Sequence, residues 1–208
     1  MADKLVFYTN PMSRGRIARW MLEEVGAPYE TVVLEYGTTM KAPEYLAINP
    51  MGKVPALKHG ETVVTECAAI CAYLADAFPQ AGLAPAPTDR MRGPYYRWLF
   101  FAAGPVEAAT TNASLGVTAD TERQQMVGYG SHALVLDVLE RAVSQNEYLL
   151  GGRFSAADVY LGSHIGWGMQ FGSMEKRPAF VDYVARLQNR AAAKRANALD
   201  DALMPKQT

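Results

Sequence analysis

The strongest constraint on how this chain can fold is a change of hydrophobic period on either side of one proline-rich stretch, PQAGLAPAP at residues 79–87. Ahead of it, strand and helix patterns alternate. Leu5-Val6-Phe7-Tyr8 is a short apolar run followed by the turn signal Asn10-Pro11, and it reads as a buried strand. Ile17, Trp20, Met21 and Val25 fall at helical spacing and are stopped by Gly26. Residues 29–34 have the β-branched alternation of a second strand. Strand, helix and strand in so short a span form a βαβ unit, which is right-handed almost without exception. A short helix near Pro43 follows, then the turn Asn49-Pro50-Met51-Gly52. A hairpin about His59-Gly60-Glu61 comes next. An apolar helix over residues 66–78, with Ile70, Tyr73, Leu74 and Ala77 on one face, completes a ββα half.

Beyond the prolines nearly every pattern is helical. The spacing predicts helices over 89–103, 121–144 and 155–171, and one or two more over 178–198. Gly104-Pro105 is expected to break or kink the first of these. The expected organisation is an α/β domain over residues 1–79, a linker over 80–87 and an all-α domain over 88–208.

Composition removes several function classes. The chain has 208 residues, and its 20 Lys and Arg against 21 Asp and Glu leave a net charge of −1. Nucleic-acid and polybasic membrane binding both need a large positive field, and here the basic residues are scattered. Cys67 and Cys71 are the two cysteines, which excludes a disulfide scaffold and points to a reducing cytoplasm. The N-terminus turns polar too early for a signal-peptide core, and no apolar run is long enough to span a bilayer. His59, His132 and His164 are scattered along the chain, so no metal is expected.

Four short elements remain, three of them with a bland reading beside a functional one. In Lys53-Val54-Pro55 the proline is either an edge-strand boundary or a cis proline that turns the Val54 backbone outward to pair with an extended peptide. Proline statistics favour trans; the βαβ–ββα context favours cis. In Thr65-Glu66-Cys67, Glu66 is either a first-turn acid or the partner of a ligand's ammonium, beside a helix N-terminus that seats its carboxylate. Ser13 stands where an N-cap is expected, and where a thiol would meet both a hydroxyl donor and the helix dipole. Ser155-Ala156-Ala157-Asp158, after Phe154, is a capping box with a staple residue and is structural. Cys67 and Cys71, four apart, are packing residues, although Cys67 is also placed to touch a ligand.

Together NPMSRGRIARWMLEEVG, PEYLAINPMGKVPAL, TECAAICAYLAD and GGRFSAADVYL, in this order and spacing, resemble the cytosolic glutathione S-transferase family in its bacterial, Ser-type form. The resemblance covers essentially the whole chain. It implies a thioredoxin-like N-terminal domain, an all-helical C-terminal domain, a homodimer, glutathione as co-substrate and a role in detoxification. It makes Pro55 the cis proline and Val54 the backbone partner of the cysteinyl unit. Glu66 and Cys67 would hold the γ-glutamyl end, and Lys53 with Lys41 the glycyl carboxylate. Ser13 matches the thiol-activating serine. Tyr8 and Arg14-Gly15-Arg16 are similar to the Tyr-type pattern, but the longer turn favours Ser13. The family usually has serine at position 67, and a thiol there is the weaker donor.

The expected activity is attack of the glutathione thiolate on a small apolar electrophile. That substrate is expected between the Ser13 turn and the helical domain, walled by Met12, Phe100, Phe101, Trp167 and Phe171. The same thiolate would serve a glutathione-dependent isomerase, dehalogenase, ether-cleaving enzyme or peroxidase. A non-catalytic glutathione- or ligand-binding protein is the reading from another class.

Overall fold

The computed structural model describes residues 4–204. These form two compact units: the described residues up to Gly82 together with those from Arg190 onward, and residues 83–189.

The first unit opens with β1 (Leu5–Thr9), α1 (Gly15–Val25) and β2 (Tyr29–Val33), the expected βαβ unit. A 3-10 turn (Thr39–Lys41) and the one-turn helix α2 (Pro43–Leu46) lead to β3 (Ala56–His59), β4 (Thr62–Thr65) and α3 (Cys67–Ala77). The sheet order is β2-β1-β3-β4, with β1 parallel to β2 and antiparallel to β3, and with β3 antiparallel to β4. Alternation along β1 sends Leu5, Phe7 and Thr9 into the buried face. There they meet the apolar stripe of α1, in which Ile17, Trp20, Met21 and Val25 are all buried. On α3 the buried face is Cys67, Ile70, Cys71, Leu74 and Ala75. Of the face read from sequence, Ile70 and Leu74 are in it, whereas Tyr73 is half-buried and Ala77 exposed.

The last helix of the chain, α9 (Ala191–Asp201), packs on α1 and belongs to this unit rather than to the helical one. Ala192, Ala193 and Ala196 of α9 are buried, and ion pairs fix the contact. Arg190 holds Glu24 at 2.6 and 2.8 Å, and the buried Arg19 holds Asp200 at 2.7 Å. Such partners lie far apart in sequence, and no local pattern announces them.

The second unit holds α4 (Arg92–Phe101), α5 (Glu107–Ser114), α6 (His132–Gln145), α7 (Ala156–Phe171) and α8 (Pro178–Gln188). Gly104-Pro105 does not end the first of these helices. A π turn over Ala102–Val106 absorbs the proline, and the helical backbone runs on into α5. The helix expected over 121–144 is shorter, because Gly130 takes φ +65° and Ser131 then caps α6, its oxygen accepting the Leu134 N–H at 3.1 Å. No helix among the described residues is long and apolar enough to cross a membrane.

Candidate functional site

The turn between β1 and α1 is built on Asn10. Its Oδ1 accepts the Met12 N–H at 2.9 Å, and its Nδ2 donates to the Leu34 carbonyl, just past β2, at 2.8 Å. Pro11 brings a preset φ to the second turn position, and the Ser13 N–H closes the turn on the Asn10 carbonyl at 3.1 Å. The half-buried Ser13 hydroxyl donates to that same carbonyl at 2.7 Å and accepts the Gly15 N–H at 2.9 Å. It therefore does a cap's work for α1, whose first turn carries no acid, and it sits at the positive end of that helix. Gly15 is required here. A Cβ at that position would run into the buried Thr9 hydroxyl and lie 2.9 Å from Ser13 Oγ.

A second wall comes from the segment ahead of β3, where the Val54–Pro55 bond is cis. Pro55 is buried and Val54 half-buried, outside both strands of the hairpin. Among the described residues no hydrogen bond uses the Val54 N–H or carbonyl. The preceding Lys53 carbonyl is fixed by the Tyr45 hydroxyl at 2.5 Å and by Asn49 Nδ2 at 2.8 Å. Burial, reinforced by the nearby Tyr8, pushes Tyr45 up to about 12, so it remains a donor across the physiological range. The Lys41 ammonium is turned into the loop, donating to the Met51 and Gly52 carbonyls at 3.1 and 2.9 Å. The Lys53 side chain is exposed and has no partner among the described residues.

The third wall is the start of α3. Glu66 takes φ 64° and ψ 116°, a positive φ that no other described non-glycine residue shares. Holding a residue there costs about 1–3 kcal/mol and survives only where the surroundings impose it. The N-terminus of α3 has neither a side-chain cap nor an acid in its first turn. Cys67 is buried and its thiol donates to the Arg14 carbonyl at 3.6 Å, which joins the start of α3 to the start of α1. Behind it, a hydrogen bond with Cys67 together with full burial holds the Cys71 thiol well above its ordinary range, as a neutral packing group.

Ser13, Cys67 and Glu66 thus come from adjoining helix starts. Tyr8 points to the other side of β1 from Thr9 and packs with Tyr45, at 5.6 Å between rings, and the cluster containing Leu34, Met40 and Ala56. Val54 packs against that same cluster. Met12 is exposed on the Ser13 turn. In the second unit Phe100 and Phe101 occupy the last turn of α4, while Trp167 and Phe171 lie near the end of α7, which packs on α4. Phe100 and Phe171 are 72% and 75% exposed, far more than core positions allow. Sequence reasoning missed the parts of Asn10, Gly15, Tyr45 and Asn49. The available signal was that both asparagines precede a proline in a turn.

A four-stranded mixed sheet flanked by helices, a cis proline entering β3 and a separate helical unit define a thioredoxin-like fold joined to an all-α domain. Two family models match it: the glutathione S-transferase N-terminal domain over residues 12–77 and the C-terminal domain over 106–191. Glutathione S-transferase F10 of Arabidopsis thaliana is 34% identical over 167 residues, 74% of this chain and 76% of that one. The crystal structure of a glutathione transferase from Methylococcus capsulatus superimposes with a TM-score of 0.78 at 28% identity, covering 95% of this chain and 99% of that one. A sphingomonad glutathione S-transferase complexed with glutathione gives 0.77 at 28% identity, with 94% and 98% covered. The chain belongs to the glutathione S-transferase family.

Proposed function

We propose that this protein is a glutathione transferase in which the Ser13 hydroxyl stabilises the thiolate of bound glutathione for attack on an apolar electrophile. The observation that carries the reading is the state of Ser13 Oγ. It belongs to a residue that is only half-buried, is polarised by the Gly15 N–H and is set at the positive end of α1. A hydroxyl proton is free to rotate, so a thiolate arriving beside Ser13 competes with the Asn10 carbonyl for it. A hydrogen bond to a charged acceptor is worth about 1.5–3 kcal/mol, enough to lower a thiol's ionisation midpoint by about one to two pH units. The thiol proton passes to solvent. The sulfur lone pair then forms the carbon–sulfur bond, and the leaving group departs with its electron pair.

The rest of the site fits the peptide. The unengaged Val54 backbone suits the cysteinyl unit and the open start of α3 the γ-glutamyl carboxylate, with Glu66 for the ammonium beside it. Lys53 suits the glycyl carboxylate, and Lys41 supports it by holding the Met51–Gly52 loop. Met12, Phe100, Phe101, Trp167 and Phe171 are proposed to select the electrophile by shape, so a methylene is worth only about 1–3 kcal/mol and specificity is broad. The family resemblance further implies a homodimer, which sedimentation at micromolar concentration tests.

The deciding experiment follows thiolate absorbance against pH with glutathione bound. A midpoint well below the free value that returns upward in Ser13→Ala supports the reading. The same return in Tyr8→Phe instead assigns activation to Tyr8. Tight binding with no shift identifies a glutathione-binding protein, and the rival glutathione-dependent reactions are then separated by substrate trials.

A further inference from the structure

Of Arg14-Gly15-Arg16, the site as described leaves Arg16 unused, and this arginine has an unusual pair of partners. Arg16 Nε donates to the Pro11 carbonyl at 2.6 Å, inside the turn that carries Ser13. Its Nη2 donates to Asp201 Oδ1 at 2.7 Å, near the end of the chain. One rigid guanidinium therefore spans the Ser13 turn and the last residue of α9.

The surroundings show that this arrangement is built rather than incidental. α1 carries Arg16 and Arg19 in its first half and Glu23 and Glu24 in its second; α9 follows Arg190, carries Lys194 and Arg195, and ends on Asp200 and Asp201. Both distributions oppose the helix dipole, which favours acids at the start and bases at the end. Each helix is relieved by the other. Run antiparallel, they pair Glu24 with Arg190, Glu23 with Arg195, Arg19 with Asp200 and Arg16 with Asp201. Arg19 and Asp200 are almost fully buried, and they fix where α9 ends. Asp201, by contrast, is 66% exposed, and an exposed ion pair adds little stability. What Asp201 contributes is direction: it holds the fork of Arg16 so that Nε faces Pro11.

We propose that Arg16 is a positioning residue for the Ser13 turn, bracing the Pro11 carbonyl against Asp201 of α9 and so fixing where the Ser13 hydroxyl points. The proposal rests on the reading of Ser13 as the group that stabilises the thiolate. It makes the C-terminal helix part of the machinery of a turn encoded nearly two hundred residues earlier.

The test compares Ser13→Ala, Arg16→Ala, Arg16→Lys, Asp201→Asn and the Arg16→Ala/Asp201→Asn double variant by thiolate absorbance against pH and by steady-state kinetics. Arg16→Ala is expected to move the midpoint of bound glutathione upward in the direction of Ser13→Ala. Its kcat should fall about tenfold to a hundredfold, the scale of a small misplacement, while KM for glutathione changes far less. Asp201→Asn is expected to move the midpoint the same way by less, with thermal stability unchanged. The double variant should be no worse than Arg16→Ala, because both act along one path. Arg16→Lys, which keeps the charge but loses the fork, should not rescue. A normal midpoint in Arg16→Ala, whatever its stability, overturns the proposal and leaves the Ser13 reading standing if Ser13→Ala still shifts. If Arg16→Ala does not fold, a normal midpoint in Asp201→Asn overturns it equally. No shift in Ser13→Ala removes the reading on which the proposal rests.

Discussion

Ser13 ahead of α1 and Ser155 ahead of α7 both open helices, and they have opposite fates. Ser155 is fully buried: its N–H and hydroxyl both donate to Asp158 Oδ2 at 2.9 Å, and its side-chain oxygen accepts the Asp158 N–H to close the capping box. The other carboxylate oxygen accepts the Leu149 N–H and the Tyr183 hydroxyl, each at 2.8 Å. Ser13 caps with the same chemistry but stays half-buried, and its hydroxyl donates to a carbonyl from which a stronger acceptor can take it. A polar group satisfied from all sides supports a fold; one satisfied provisionally and left reachable can serve a ligand.

The largest effect expected from this contrast is at the closed cap. Asp158→Ala strips four donors of their acceptor in a dry interior, and at about 1–3 kcal/mol for each unsatisfied group the loss should be at least about 4 kcal/mol in denaturant unfolding. Ser13→Ala should cost only about 1 kcal/mol, the usual value of a cap. Equal losses would erase the distinction.

Gly15→Ala comes next. Its Cβ collides with the Thr9 hydroxyl, so about 1–3 kcal/mol of stability should go, together with most of the turnover as the Ser13 turn is pushed aside. Full activity in that variant would mean the turn is not the site.

Glu66→Gly sharpens the comparison from the other side. Releasing the positive φ should leave stability unchanged or raise it by about 1 kcal/mol, while retention on immobilised glutathione is lost. A clear destabilisation would show that Glu66 serves the fold.

The smallest effect is a pH slope. Burial raises the Asp158 carboxyl above its ordinary range, outweighing its four hydrogen bonds. The fold therefore holds this proton more tightly than the unfolded chain does. The resulting stability is fully present below the ordinary aspartate value and fades as pH rises through the raised one. The buried Asp200 is raised too, by burial against the opposing pull of Arg19, and adds to the slope in the same direction. Asp158→Asn should flatten part of it in urea melts taken between about pH 3 and 6.

Most of the fold was legible because its signals are local. The stripe Ile17-Trp20-Met21-Val25, the stop at Gly26, the hairpin at His59-Gly60-Glu61 and the Ser155–Asp158 box each sit within one element and appear in the structure where the pattern puts them. The π turn at Gly104-Pro105 and the late start of α6 were not legible, because they depend on how backbone bonds are redistributed over several turns. At the candidate site, motif spacing singled out Ser13, Val54, Pro55 and Glu66 as candidates, and their roles are those proposed above. That spacing gave no hint that Lys41 is spent on its own loop, or that Tyr45 and Asn49 fix the carbonyl next to Val54.

By itself, then, the sequence determined the order of strands and helices, the two-part architecture and the motifs of a glutathione S-transferase, since periodicity, caps and turn residues act over a few residues at a time. Tertiary structure alone decided that the last helix joins the first unit, that Arg16 reaches from the Ser13 turn to Asp201, and that the serine opening α7 is sealed while the one in the turn before α1 stays half-buried. Those outcomes depend on which distant groups meet and how far water is excluded when they do.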